Sequence, residues 1–381
     1  MFVDLDRDGA LDVNTSTEGS SQRVFVKWGP PESTRRLEPA AWRQDVFPAT
    51  AGVTRWMFAA AAQLDGRHGV DLVLGGRTGG GSGRSTLGWL EAPAAARDGA
   101  GWRWYPLLEM GWTMTLQIED MDGDGDTDIL YSDRTGATRG VYWLENPGAA
   151  RVSPGSGWTR HGVGATDEHQ IMFLYSGDVD GDGRRDIAVG IERERVDAKD
   201  PDRYSQLRWL RREDRSGDRW TEHVLALPGN IGNIKGVAIG DLDRDGRADI
   251  AVSCENATGE RRGVFWLRQP ERATGGAWAA RDISGAPGIK FDLIELLDLD
   301  GDGDLDVLTS EKPLPDLISL KIQSRIRSKI AGDCAAMERV CCVRNPNLPA
   351  ARAPVFRPPK SAPPTVSAKP RDLPRLSRVH T

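Results

Sequence analysis

Aspartate recurs at alternate positions in five short segments of this 381-residue chain: DLDRDGALD, DMDGDGDTD, DVDGDGRRD, DLDRDGRAD and DLDGDGDLD. They share the pattern DxDxDGxxD. Carboxylates at positions 1, 3, 5 and 9, a turn glycine at 6 and a backbone carbonyl at 7 suit a hard cation that takes about six to eight oxygen ligands. The predicted ligands are Asp4, Asp6, Asp8, Asp12, Asp120, Asp122, Asp124, Asp128, Asp178, Asp180, Asp182, Asp186, Asp241, Asp243, Asp245, Asp249, Asp298, Asp300, Asp302 and Asp306.

Calcium is the ion that this donor set favours, because magnesium demands a tighter octahedron and keeps its waters. The EF-hand alternative requires a glutamate at position 12 and flanking helices. Position 12 here falls in strand-like runs and is never glutamate, so EF-hands are rejected; its occupants are Thr15, Tyr131, Val189, Val252 and Thr309.

The acidic segments belong to a repeat of about 59 residues. Between the first and second segments lies a worn copy, QLDGRHGVD, which begins at Gln63 and keeps only Asp65 and Asp71 of the four acidic positions. We predict no metal there. Two tryptophan columns follow the same period, and we expect them to fill the space between neighbouring repeats; they are Trp28, Trp89, Trp143, Trp209 and Trp266, and Trp42, Trp102, Trp158, Trp220 and Trp278.

Each repeat contains four short runs rich in β-branched and apolar residues, separated by Gly, Pro and Asn clusters, which favours strands. Four strands per repeat predict an all-β fold, a β-propeller of four-stranded blades. Residues 1–312 hold five blades and part of a sixth. Either strands from the two ends share one blade, or the chain is a piece of a larger ring.

The bound ions are expected to be structural. Residues 1–312 carry a net charge of −15, and crowded carboxylates repel one another when no ion is present. An ion that binds only the folded state adds about 2.7 kcal/mol of stability at a hundredfold excess over its Kd. Four carboxylates and a carbonyl leave little open coordination for a substrate, which argues against a catalytic metal.

Residues 313–381 differ in composition, with 11 of the 23 prolines and a net charge of +9. We expect a Pro-rich basic tail that is disordered, although LISLKIQSRIRSKI could form a basic helix. An out-of-frame C-terminus is the alternative explanation. Aromatic residues for base stacking are scarce, so no nucleic-acid partner is predicted. No apolar run is long enough to span a membrane, and four cysteines cannot form a disulfide framework.

The acidic repeat resembles the FG-GAP, or VCBS-type, repeat of integrin α-subunit N-terminal propellers and of many secreted bacterial proteins. The resemblance covers residues 1–312. It implies a parent fold of seven blades that binds calcium, works in an extracellular or periplasmic setting, and serves adhesion or ligand binding without catalysis. The expected partner is a protein or glycan held on one propeller face. No signal peptide is predicted at Met1, which leads directly into the first acidic segment.

An enzymatic alternative rests on side chains near the expected axis. His169 lies just before an inner strand, near where Lys235, Lys290 and Asp292 approach the axis. Converging polar groups at a propeller mouth can form an acid/base site. A carbohydrate-active lyase or dehydratase is therefore the second hypothesis. His161 and His223 share one repeat station and are interpreted as blade-surface residues.

Overall fold

The computed structural model describes residues 1–17, 19, 21–78, 85–149, 151, 157–165, 169–192, 205–257, 259–284, 291–314, 317–323 and 339–342. Its 24 described strands, numbered in chain order, are β1 (Phe2–Val3), β2 (Asp12–Ser16), β3 (Val24–Trp28), β4 (Arg43–Val46), β5 (Arg55–Ala62), β6 (Asp71–Arg77), β7 (Ser85–Glu91), β8 (Arg103–Met110), β9 (Thr113–Glu119), β10 (Asp128–Asp133), β11 (Gly140–Glu145), β12 (Thr159–Gly164), β13 (Gln170–Gly177), β14 (Asp186–Glu192), β15 (Ser205–Arg212), β16 (Trp220–Leu225), β17 (Asn233–Gly240), β18 (Asp249–Glu255), β19 (Val264–Arg268), β20 (Ala279–Asp282), β21 (Phe291–Leu297), β22 (Asp306–Leu314), β23 (Leu317–Gln323) and β24 (Arg339–Cys342).

Four short 3-10 helices complete the described elements: Ser33–Arg35, Pro39–Ala41, Pro48–Thr50 and Gly99–Gly101. None of the described helices is long and apolar enough to cross a membrane.

The strands form six four-stranded antiparallel sheets, and each sheet uses four consecutive strands paired in chain order. This confirms the predicted all-β fold with four-stranded blades. We number the sheets 1 to 6 along the chain. The second strands of sheets 2 to 5 are buried on both faces, as in β14, where every residue is buried. A strand that is covered on both faces has a continuous apolar sequence, as in the IAVGI core of β14.

The first tryptophan column packs each of sheets 1 to 5 against the next sheet. Trp209 of sheet 4, for example, shares a buried cluster with Ile250 and Val252 of sheet 5. Trp143 packs in the same way on Ile187 and Val189 of sheet 4. The corresponding clusters contain Trp28, Trp89 and Trp266. The predicted role of this column between neighbouring blades is confirmed.

The second tryptophan column also contributes to the contacts between sheets, with Trp102 and Trp278 inside the buried clusters and Trp158 and Trp220 packed against them, and it holds loops as well. Trp102 and Trp278 are buried, whereas Trp42, Trp158 and Trp220 are half-buried. In four of the five, the indole Nε1 donates a hydrogen bond to a carbonyl a few residues upstream, as Trp102 does to Ala96 at 2.8 Å and Trp220 to Gly217 at 2.7 Å. These four tryptophans hold the loop before the fourth strand in sheets 1, 2, 4 and 5.

Sheets 1 and 6 are separate among the described strands, so β1 and β24 do not share a blade. Sheet 1 is built from β1 to β4, with Phe2–Val3 as its first strand. Sheet 6 is completed by β23 and β24, which lie beyond residue 312. LISLKIQ is therefore a strand and not the start of a helix. The compact unit ends at Val343, and the predicted disorder of the remaining tail falls outside the described residues.

Candidate metal centres

Every acidic segment forms the bend between the first and second strands of its sheet. The bend takes up motif positions 1 to 8, and the aspartate at position 9 is the first residue of the second strand. This holds for all six sheets, including sheet 2, where Asp71 opens β6 below the worn bend. Position 9 therefore joins the bend to the sheet.

The aspartate at position 9 accepts two backbone hydrogen bonds. In sheet 3, Asp128 Oδ2 accepts from the N–H of Met121 at 2.7 Å, and Oδ1 accepts from the N–H of Asn146 at 2.8 Å. The first donor is at position 2 of the bend, and the second lies just past the third strand. The same pair of bonds is made by Asp12, Asp71, Asp186 and Asp249.

The aspartates at positions 1, 3 and 5 curl the bend by accepting its own N–H groups. In sheet 3, Asp120 Oδ1 and Oδ2 accept from Gly123 at 2.8 Å and Gly125 at 3.1 Å. Asp122 Oδ1 accepts from the N–H of Asp124 at 3.1 Å. These bonds fix the carboxylates on the inside of the curl.

Left-handed backbone appears at two positions of the bend. Glycine at position 6 has a φ of 84 to 92° in sheets 3 and 4, as predicted. Position 4 is also left-handed, as in Gly123 at 82°, a feature that we did not predict from the sequence. Arginine fills position 4 in two bends, at Arg7 and Arg244, with φ of 61° and 59°. The signal was present, because the other four bends have glycine at position 4.

Each of the five predicted sites brings three carboxylates together, with one oxygen from each within 4.8 Å of the others. The groups are Asp4, Asp6 and Asp8; Asp120, Asp122 and Asp128; Asp178, Asp180 and Asp186; Asp241, Asp243 and Asp249; and Asp298, Asp300 and Asp302. The remaining predicted ligand of each bend lies outside its group: Asp12, Asp124, Asp182, Asp245 and Asp306.

Burial makes negative charge costly at position 9 of these bends. Desolvation raises the pKa of Asp128 and of Asp249 to about 7, and that of Asp186 to about 6, against the opposing effect of their backbone hydrogen bonds. Asp243 contributes a buried oxygen, Oδ1, that has no hydrogen-bond partner. A cluster of carboxylate oxygens, whose negative charge a bound cation would offset, fits Ca²⁺. The ligands present therefore suit the ion that the sequence predicts.

The worn bend of sheet 2 is arranged differently. Gln63 takes position 1, and its Nε2 donates to the carbonyls of Arg67 at 2.8 Å and Gly69 at 2.5 Å, which are positions 5 and 7. Its Oε1 accepts from the N–H groups of Asp65 and Gly66. One neutral amide thus supplies both donors and an acceptor inside the bend. Asp65 and Asp71 belong to none of the carboxylate groups.

The histidines at the shared station pack on the first tryptophan column. His161 stacks on Trp143 with ring centroids 4.1 Å apart, and His223 stacks on Trp209 at 4.6 Å. Each histidine is also the cross-strand partner of its tryptophan. Tyr105 holds the same place beside Trp89 in sheet 2. These ring contacts belong to blade packing, and His161 also contacts Glu145 Oε2 through Nε2 at 2.8 Å.

The described residues of the enzymatic alternative lie at the start of the first strand of their sheets, at the end opposite the acidic bend. Lys235 is 6% exposed, and its Nζ is 3.5 Å from Glu255 Oε2. Burial lowers the pKa of Lys235, against the raising effect of Glu255. His169 is half-buried just before β13, and Asp292 is in β21. Lys290 falls outside the described residues.

Consecutive four-stranded antiparallel blades, packed through one tryptophan per blade, define a repeat protein of the β-propeller type. A family model described as FG-GAP-like repeat matches residues 120–189 and 178–252, which take in the acidic bends of sheets 3, 4 and 5. Residues 120–252 of the chain therefore consist of FG-GAP-like repeats. A search of curated proteins finds no significant match.

Proposed function

We propose that this protein is a calcium-stabilised recognition module that works outside the cell, holds a protein or glycan ligand on one face of its blades, and catalyses no reaction. The blades are the scaffold, and the five acidic bends hold structural ions. The observation that carries the calcium part is the contrast between those five bends and the bend at Gln63.

The contrast acts as an internal control. All six bends share the same position in the sheet and a buried aspartate at position 9. In sheet 2, where two of the acidic positions are lost, the Gln63 amide bridges the carbonyls of Arg67 and Gly69. Where the carboxylates are present, a divalent cation can satisfy the same inward-facing oxygens. We therefore assign the ion to the role that the amide fills in sheet 2.

The chemistry of the bends supports a structural ion. The position 9 carboxylate ties the bend to two strands, so a bound ion would cross-link the bend and the sheet. Binding only to the folded state adds RT ln(1 + [Ca]/Kd) to the free energy of unfolding. Calcium loops of extracellular modules bind at about 10⁻⁴ to 10⁻³ M, which suits a calcium-rich compartment and hence work outside the cell.

Two points support the recognition role: the resemblance to FG-GAP-like repeats, and the polar residues at the start of the first strand of the sheets. Lys235, one of the two lysines of the lyase alternative, is buried beside Glu255. A buried, ion-paired lysine is poorly placed to meet a substrate in solvent, which favours a binding module over an enzyme. The loops at one end of the blades are the proposed ligand surface.

Isothermal titration calorimetry of the calcium-stripped protein with Ca²⁺ tests the metal part. We expect binding at five sites and a melting temperature that rises with calcium, with a much weaker response to Mg²⁺. Asp122→Asn should remove or weaken one site, whereas Asp65→Asn in the worn bend should leave the stoichiometry unchanged. No heat and no rise in melting temperature would overturn the proposal.

The non-catalytic part needs a separate test. The calcium-loaded protein and its His169→Ala variant are incubated with a panel of acidic and neutral polysaccharides. We expect no product from either protein, and retention of a ligand, if one is in the panel, by both. Turnover that the variant loses would establish the lyase or dehydratase alternative.

A further inference from the structure

Arginines bridge the carboxylates of three acidic bends. Arg211 Nε lies 2.5 Å from Asp180 Oδ2, and its Nη2 lies 3.5 Å from Asp182 Oδ2. In sheet 5, Arg268 contacts Asp243 through Nε and Asp245 through Nη2. The sheet 1 bend receives the same pair of contacts at Asp6 and Asp8 from Arg97, which lies between β7 and β8 of sheet 2. Each guanidinium therefore joins motif positions 3 and 5.

The arginines occupy the carboxylate oxygens that the bend itself leaves open. Asp6 Oδ1 and Asp8 Oδ1 accept the N–H groups of Asp8 and Ala10, at 3.2 and 2.8 Å. Their Oδ2 atoms are the ones that Arg97 contacts. A cation entering this bend would need the same oxygens, so it must compete with the guanidinium.

Sheets 4 and 5 add a second arginine at motif position 7. Arg184 contacts Asp182, and Arg247 contacts Asp245, in each case the position 5 carboxylate. The four motif aspartates and the two arginines that contact them sum to a formal charge of −2 in each bend, and a third arginine of the segment, Arg185 or Arg244, brings the net charge to −1. Position 7 of the sheet 1 bend is Ala10, and the four aspartates of that bend are offset by Arg97 and by Arg7 at position 4, which gives a formal charge of −2.

The sheet 3 bend has acids where sheets 4 and 5 have arginines. Position 7 is Asp126, and the residue at the station of Arg211 and Arg268 is Glu145. The stations match because each of these residues directly precedes the residue whose N–H binds the position 9 aspartate, namely Asn146, Arg212 and Gln269. Five aspartates and one glutamate give the sheet 3 bend a formal charge of −6. The same station in sheet 6 lies outside the described residues.

We propose that these side chains set the order in which the bends take up calcium: the sheet 3 bend loads first, the sheet 1 bend follows, and the sheet 4 and 5 bends load last because the ion must displace arginines. This rests on the proposed function. A difference of a few charged side chains within about 5 Å of the calcium position is only weakly screened by salt. It therefore changes the calcium affinity of a bend by roughly tenfold or more.

The arginines should also stabilise the sheet 4 and 5 bends when no calcium is bound. A guanidinium that neutralises two carboxylates reduces the repulsion that an empty bend would suffer, which stabilises the folded blade at low calcium. We therefore infer a protein that keeps the sheet 3 ion when calcium falls and releases the sheet 4 and 5 ions into arginine contacts.

The affinity of each bend can be followed separately. The position 6 glycines Gly125 and Gly246 donate their N–H groups to the position 1 carboxylates Asp120 and Asp241, so their amide NMR signals report ion binding in sheets 3 and 5. Full-length protein with isotope-labelled glycine is titrated with Ca²⁺. We expect Gly125 to shift at roughly tenfold lower calcium than Gly246, with Gly183 of sheet 4 close to Gly246.

Exchanging the charged residues between bends tests the cause. Arg247→Asp with Arg268→Glu should move the Gly246 transition at least about tenfold toward lower calcium. Asp126→Arg with Glu145→Arg should move the Gly125 transition the other way. Arg35→Glu is the matched control, because Arg35 pairs with Glu38 outside the bends and should move neither transition.

The outcomes separate this inference from the proposed function. If all bends of the native protein load at one calcium concentration, or if the exchanges leave Gly125 and Gly246 where they were, the arginine order is wrong while calcium binding stands. If no glycine signal responds to calcium at all, the proposed function fails first. Unchanged signals elsewhere in the spectrum show that the variants are folded.

Discussion

Gln63 Nε2 donates a hydrogen bond to the carbonyl of Gly69 at 2.5 Å, inside the only described bend that has lost its position 1 aspartate. The same nitrogen also donates to Arg67. The Gln63 amide bridges backbone carbonyls in this bend, which is the role that we assign to a calcium ion in the other five bends. The sheet 2 bend is therefore stabilised without a metal ion.

Restoring the acidic motif in sheet 2 should create a sixth calcium site. Gln63→Asp with Arg67→Asp and His68→Gly gives DLDGDGGVD. We expect one more ion by calorimetry, and lower stability than the native protein in chelator, because the amide bridge is replaced by repelling carboxylates. The control Gln63→Ala should lose stability equally with and without calcium. A triple variant that gains no ion would contradict the equivalence of the bends.

Removal of a column tryptophan should weaken the contact between two blades. Trp209 is fully buried, and its Nε1 donates to Asp186 Oδ2 at 2.9 Å. Trp209→Ala should lower the free energy of unfolding by about 3 to 5 kcal/mol in urea denaturation. Trp42→Ala, at the half-buried second column, should cost about 1 kcal/mol. Equal losses would show that the first column does not carry the packing between blades.

The repeat made the bends and the tryptophan contacts predictable, because both recur at fixed stations. The role of position 9 was missed, since its second donor lies at a variable distance along the chain: Gly29 is 17 residues from Asp12, and Arg212 is 26 residues from Asp186. The survival of Asp71 in the worn copy was the available signal. β23 was missed because LISLKIQ alternates weakly and is followed by basic residues that also suit a helix.

Asp71 should make the stability of the protein fall as the pH rises. Burial raises its pKa from 3.8 to about 7, so the folded state binds the proton more tightly than the unfolded state. The resulting stabilisation is complete below pH 3.8 and is lost as the pH rises through about 7. In saturating calcium, Asp71→Asn should flatten this decline in the free energy of unfolding, by at most about 1.4 kcal/mol per pH unit.

The position 9 donors provide a check on that variant. An asparagine can accept only one of the bonds from Leu64 and Ala92 through its oxygen, so Asp71→Asn should also lower stability at every pH. The decisive quantity is therefore the slope of stability with pH and not its level. A slope as steep as that of the native protein would assign the titration to another group.

Left-handed arginine at position 4 should be a source of strain. Arg7 has a φ of 61°, where a side chain is disfavoured, while Gly123 fills the same position in sheet 3 at 82°. Arg7→Gly should raise the free energy of unfolding by about 1 kcal/mol, and Gly123→Arg should lower it by a similar amount. Both are measured by urea denaturation in saturating calcium, so that ion binding does not limit stability. A loss of stability in Arg7→Gly would mean that the arginine side chain makes contacts that outweigh its backbone strain.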